Sequence, residues 1–172
     1  IPTNTPSKPS KEQLINQAFK FHSKGNISEA AKYYQDFINK GFKDHRVFSN
    51  YGVILKDHGK LLEAEIYSRK AIQINPNFAD AHLNLGNILK ELGKLEASEI
   101  SYRKAIQLNP NFANAHSNLG NILRDLGELE AAELSYRKAI QLNPNFANAY
   151  SNLGNILKSL GELEAAELFT RK

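Results

Sequence analysis

The tetrapeptide Asn-Pro-Asn-Phe occurs at 75–78, 109–112 and 143–146, each copy 34 residues after the last. Leu-Gly-Asn-Ile-Leu recurs at 85–89, 119–123 and 153–157 with the same spacing. Residues 79–112 and 113–146 are identical at 27 of 34 positions. A fixed period of this length means one supersecondary unit stacked on copies of itself, because a single unit cannot bury its own apolar face. Extended in both directions, the frame gives repeats at 11–44, 45–78, 79–112, 113–146 and an incomplete 147–172.

Punctuation and periodicity define the unit. Gly25, Gly59, Gly93, Gly127 and Gly161 share one phase, where a left-handed residue is expected to end a first helix. Pro76, Pro110 and Pro144 stand where a second helix has to stop, since each bars the preceding Asn from helical geometry. Between these marks the apolar spacing is helical. Ala81, His82, Leu85, Gly86, Ile88, Leu89 and Leu92 are expected to form one packing face. Leu95, Ala97, Ile100, Ala105, Ile106 and Leu108, with Tyr102, are expected to form a second. Gly86 and Ala105 permit close backbone approach, and Tyr102 and Tyr136 fill the space beyond. The fold class predicted is all-α.

These units resemble tetratricopeptide repeats. The residues that carry the resemblance are His116, Leu119-Gly120, Leu123, Ala132, Tyr136, Ala139 and Pro144, and it spans 11–172. Ala18 departs from the pattern at the Gly position, and Ser68 and Thr170 depart at the aromatic one. The resemblance implies a right-handed α-solenoid of helix-turn-helix units with a concave groove. Residues 1–10, with three Pro and no apolar periodicity, read as a flexible lead-in.

Composition narrows the chemistry. With no Cys, disulfides, thiolate nucleophiles and Cys-ligated zinc are excluded. No apolar stretch reaches the roughly 20 residues of a membrane span, and no signal-peptide core is visible at the start. A cytoplasmic protein without membrane contact is expected. The net charge of +4 is concentrated in residues 1–78, too mild a bias for a nucleic-acid partner. His82 and His116 share a phase with Leu14, Phe48 and Tyr150, which marks them as packing residues. One such residue per repeat cannot supply several ligands about 2 Å from one ion. Glu128, Glu130 and Glu133 return as Glu162, Glu164 and Glu167, a copied surface pattern in which Glu133 and Arg137 are spaced for an i,i+4 pair. No nucleotide-binding loop or Ser-His-Asp order is present. The expectation is a chain that is not an enzyme, with no cofactor and no metal.

The residues that the stack displays are amides. Asn16, Asn50, Asn84, Asn118 and Asn152 share one helix-A phase, and Asn87, Asn121 and Asn155 follow three residues later in the last three repeats. Phe19 and Val53 occupy the second phase in the first two repeats. Residues three apart share a helix face. Asn is a mediocre helix former, so five mid-helix copies carry a cost. Three readings stand side by side: Asn copied by duplication alone, amides bonding one another between repeats, or a column gripping the C=O and N–H of an extended peptide.

The phase is similar to the asparagine ladder of the repeat domain of O-linked N-acetylglucosamine transferase, which implies peptide binding by these eight residues. Arg46, Leu83, Lys90, Arg124, Asp125 and Lys158 flank the ladder, vary between repeats and are expected to tune specificity. A carboxylate-clamp mode is rejected, because Ser49, Leu83, Ser117 and Ser151 stand where cations would be needed.

The expected function is therefore a protein-interaction scaffold that takes an extended peptide or partner segment. The alternatives are a substrate-recruiting arm of a larger transferase and a structural scaffold assembled by end-to-end stacking. The last repeat lacks a polar cap, so a longer parent protein is expected. The end around Leu163, Ala166 and Leu168 is expected to be exposed and to pack on a neighbouring copy.

Overall fold

The computed structural model describes residues 9–162, 165 and 166. Among them are nine helices and no strand. The chain divides into two compact units, Ile1–Asn75 and Pro76–Lys172. The first unit holds α1 (Lys11–Ser23), α2 (Ile27–Asn39), α3 (His45–Asp57) and α4 (Leu61–Ile74). The second holds α5 (Ala79–Glu91), α6 (Leu95–Leu108), α7 (Ala113–Asp125), α8 (Leu129–Leu142) and α9 (Ala147–Ser159). Odd-numbered helices are the first of each repeat and even-numbered helices the second. This is the all-α helical-repeat solenoid class.

Within a repeat the turn is a Schellman motif. Gly93 has φ of +73°, its N–H donates to the Lys90 carbonyl at 2.9 Å, and Lys94 N–H donates to Leu89 at 2.9 Å. These bonds satisfy the orphan carbonyls of α5 and reverse the chain into α6. Between repeats the chain is reversed by an Asx turn, in which the Asn side-chain oxygen accepts from the backbone two residues on. Asn111 N–H donates to Asn109 Oδ1 at 3.2 Å, and Asn145 N–H donates to Asn143 Oδ1 at 3.2 Å.

The expected helix-A face is observed. Ala81, His82, Leu85, Gly86, Ile88 and Leu89 are buried, and Leu92 is half-buried. The helix-B face needs one correction: Ile100 is 69% exposed, as is its counterpart Leu134. Tyr102 two residues later is fully buried and takes the inward direction instead. In a helix, positions two apart cannot both point at the same neighbour. The expected exposed end is also corrected in part. Ala166 is fully buried in the core of the second unit, whereas Leu163 and Leu168 lie outside the described residues, as does Thr170.

Each core follows from the small-against-large pairing. In the second unit Tyr102 and Tyr136 are buried with Ala105, Ala132, Ala139, Leu119, Ile122 and Leu123. In the first, Tyr34 and Phe37 pack with Leu14, Ile15, Ala18 and Val47. At the phase of these tyrosines, repeat 2 has Ser68, fully buried, whose hydroxyl has no hydrogen-bond partner. Leaving a buried hydroxyl unsatisfied costs about 1–3 kcal/mol.

Candidate functional site

Four helix-A amides of the second unit, Asn87, Asn118, Asn121 and Asn152, are built into a hydrogen-bonded interlock with the buried tyrosines. In the second unit Asn87 Oδ1 accepts from the Tyr102 hydroxyl at 2.7 Å and from Asn118 Nδ2 at 2.9 Å. One repeat further on, Asn121 Oδ1 accepts from Tyr136 at 2.8 Å and from Asn152 Nδ2 at 3.0 Å. An amide oxygen has two lone pairs, so both are occupied. Because each partner is a donor, the interlock also fixes which way each amide is turned. The two asparagine phases are therefore one structure: the second-phase Asn of a repeat holds the first-phase Asn of the next.

The tyrosines were the part of the site that reading by phase assigned to packing alone. Their signal was present, since Tyr102 follows Asn87 and Tyr136 follows Asn121 by the same interval of 15. Burial pushes the hydroxyls of Tyr102 and Tyr136 up to about 12. Burial likewise raises Tyr34 to about 12, against a smaller lowering by its bond from Asn50.

The first unit solves the same problem differently. Phe19 stands at the second amide phase, so Tyr34 has no amide there to donate to. Asn50 Nδ2 donates directly to the Tyr34 hydroxyl at 3.1 Å, and His22 Nδ1 lies 2.8 Å from that hydroxyl. Phe19 meets the edge of the Tyr34 ring, with centroids 6.0 Å apart. Asn16 is exposed on α1, Val53 is half-buried on α3, Asn84 is half-buried on α5, and Asn155 is exposed near the end of α9.

The flanking residues divide. Arg46 pairs with Asp44 at 2.8 Å and lies 5.2 Å from the Phe19 ring centroid, a cation–π contact. Lys90 and Lys158 are exposed. Arg124 bonds to Asp125 Oδ1 at 2.8 Å, and that hydrogen bond raises its already high pKa. Leu83 is a correction. It is buried in the core of the second unit and is not available to tune what a ligand meets.

Other predicted roles also resolve. His82 Nε2 donates to the Pro76 carbonyl at 2.9 Å, and His116 Nε2 donates to the Pro110 carbonyl at 3.0 Å. A carbonyl only accepts, so Nε2 carries the proton in both, and each imidazole ties the Asn-Pro turn to the helix that follows. Arg137 Nε donates to Glu133 at 2.7 Å, and Arg103 repeats the contact with Glu99 at 2.6 Å. Among the described residues no group of three His, Asp or Glu is placed to hold a metal ion.

The interlock makes a prediction of its own. Asn87→Ala leaves the buried Tyr102 hydroxyl without its acceptor and is expected to destabilise the fold by about 1–3 kcal/mol. In a Tyr102→Phe background the same change should cost clearly less. Urea unfolding of the four variants gives the coupling energy. Equal costs in both backgrounds would show that the hydroxyl and amide do not act together.

Comparison with known proteins agrees with this architecture. A TPR-repeat profile matches residues 86–123 and 120–161, and tetratricopeptide-repeat profiles match 45–78 and 67–99. No curated protein matches the sequence. Among solved structures, a MamA protein superposes with a TM-score of 0.81 at 22% identity, over 94% of this chain and 88% of that one. A MamA fragment from Desulfovibrio magneticus RS-1 gives 0.82 at 19% identity, over 94% and 91%. Pseudomonas aeruginosa pilF gives 0.82 at 19% identity, over 92% and 72%. At these identities the likeness is one of fold.

Proposed function

Because this chain belongs to the tetratricopeptide-repeat family, we propose that it is a protein-interaction scaffold whose helix-A amides hold the backbone of an extended peptide. The observation that carries the reading is the polarity of the interlock. With Asn87 Oδ1 filled twice, its Nδ2 remains outside the interlock as a donor. Asn118 uses Nδ2 inward, so its Oδ1 remains outside as an acceptor. Asn121 and Asn152 repeat the pair one unit on. Each junction therefore offers N–H donors and one acceptor oxygen outside the interlock, groups that complement a peptide's C=O and N–H. The residues are half-buried, which leaves them reachable.

The same geometry explains why Asn is kept inside helices that would otherwise favour better formers. It serves the stack with one end and a ligand with the other. The recurring carboxylates Glu99 and Glu133 are engaged by Arg103 and Arg137, in keeping with a binding module and not a catalyst. We read the partner as protein or peptide, the setting as cytoplasmic, and stacking through the last repeat as a further possible mode of assembly.

Binders selected from a displayed random-peptide library test the reading. Replacing Asn118 and Asn152 together with Ala removes the two outward acceptors, while Tyr102 and Tyr136 keep Asn87 and Asn121 as their acceptors. At about 0.5–1.5 kcal/mol per hydrogen bond, affinity should fall roughly two- to tenfold per amide with helicity retained. N-methylation of the peptide backbone should weaken binding more than alanine replacement of most of its side chains. Unchanged affinity in the double variant would sink the ladder reading.

A further inference from the structure

The first unit interrupts the amide pattern, and the interruption leaves a shallow, open pocket. Phe19, His22 and Ser23 of α1, Tyr34 of α2 and Asn50 of α3 line a space of about 290 Å³. That is at the lower edge of ligand pockets, roughly 300–1,000 Å³, and fits a single side chain better than a whole small molecule. Its hydrogen-bonding pattern is fixed from within. The Tyr34 hydroxyl accepts from Asn50 Nδ2, so its own proton needs an acceptor, and His22 Nδ1 at 2.8 Å supplies it. His22 is therefore the tautomer protonated at Nε2, which leaves an N–H donor on the ring that lines the cavity. Ser23 Oγ donates to the Lys20 carbonyl at 3.1 Å, so toward the cavity its oxygen can only accept.

The apolar part of the lining is aromatic. Phe19 is half-buried, held by Arg46 5.2 Å from its centroid and by the edge of Tyr34. An anchored ring of this kind favours a second ring over an aliphatic side chain of similar size, because the quadrupoles of two rings attract in edge-on or offset geometry.

We propose that this cavity receives an aromatic side chain of the bound peptide, with Phe19 recognising the ring and the His22 Nε2–H and Asn50 Oδ1 serving polar atoms beside it. The inference rests on helix-A residues binding peptide, and it gives the first unit, taken by itself, a sequence preference that amides lack.

The test uses the whole isotope-labelled chain and two small probes, N-acetyl-L-tyrosinamide and N-acetyl-L-leucinamide, followed by NMR. Tyrosinamide should shift the signals of Phe19, His22, Ser23 and Asn50. Leucinamide should bind about two- to tenfold more weakly, the worth of one aromatic pair. Phe19→Asn installs the residue that repeats 3 to 5 carry at this phase and should abolish the tyrosinamide shifts. Phe19→Leu keeps apolar volume and should erase the preference between the probes. The His22 ring nitrogens should show Nδ1 unprotonated before any probe is added. Absence of shifts at these residues, equal affinity for the two probes, or no response to Phe19→Leu overturns the proposal. Asn118→Ala with Asn152→Ala should leave this titration untouched while weakening selected peptides, so the cavity and the ladder fail or survive separately.

Discussion

Between pH 10 and pH 12 the second unit is expected to lose several kcal/mol of stability, and the loss should trace to two tyrosines. Tyr102 and Tyr136 are raised to about 12 by burial, against about 10 in an unfolded chain. The folded state therefore binds more protons than the unfolded state across that window, and stability falls as pH rises through it. Below pH 10 the contribution is fully present; above about 12 it is gone. The ceiling is about 2–3 kcal/mol for each tyrosine, reduced where solvent reaches the hydroxyl end of the side chain. Urea unfolding at a series of pH values, beside phenolate absorbance, measures both quantities. Of the seven tyrosines, Tyr34, Tyr102 and Tyr136 should ionise near pH 12. Replacing Tyr102 and Tyr136 with Phe should flatten the pH dependence. A slope that survives both replacements would assign the alkaline loss to other groups, Tyr34 of the first unit foremost.

A single methyl group should be felt almost as strongly at Gly86. A Cβ there would lie 2.5, 2.7 and 3.0 Å from Cε1, Cδ1 and Cζ of Tyr102, closer than atoms pack. The ring is fully buried and cannot swing into solvent. Overpacking of this kind costs about 1–3 kcal/mol, which exceeds the roughly 1 kcal/mol that alanine gains as a helix former. Any movement of the ring also strains the hydroxyl bond to Asn87, so Gly86→Ala should be clearly destabilising. Repeat 1 shows what accommodating an alanine entails. Ala18 takes the glycine's place there, and the Tyr34 hydroxyl is bonded to His22 and Asn50 in the absence of an amide at position 19. Denaturation midpoints of Gly86→Ala and Gly120→Ala provide the check. Gly120 should be the milder site, because the Tyr136 ring is slightly further away, at 2.8 Å or more. A Gly86→Ala variant as stable as the parent would mean that the stack adjusts freely at this contact.

How far the sequence reached depended on whether a feature repeats locally or arises between repeats. The period, the left-handed glycine turns, the Asn-Pro stops and the helix-A face were all legible, because each rests on backbone constraints within a few residues. Gly25, Gly59, Gly93, Gly127 and Gly161 do adopt positive φ. The i,i+4 pairing of Glu133 with Arg137 was legible for the same reason. Ile100 and Leu83 were not. Apolar spacing put Ile100 on the packing face and variation between repeats put Leu83 beside the ladder, but only packing decided that Ile100 faces solvent and Leu83 the core.

The asparagines mark the boundary most clearly. Their two phases were fixed by the repeat, which left open whether the amides bond one another or grip a peptide. Tertiary structure put a buried tyrosine hydroxyl behind each second-phase amide of repeats 3 and 4, and an amide of the next repeat beside it. That contact joins residues 31 apart, Asn118 to Asn87 and Asn152 to Asn121, across two helices whose spacing no local pattern encodes. An amide has an acceptor end and a donor end, so bonding inward with one end orients the other outward. The sequence by itself determined that a row of asparagines lies on one face of each repeat. Only the packing of one helical hairpin on the next decided which atom of each amide is held by the stack and which is left outside the interlock.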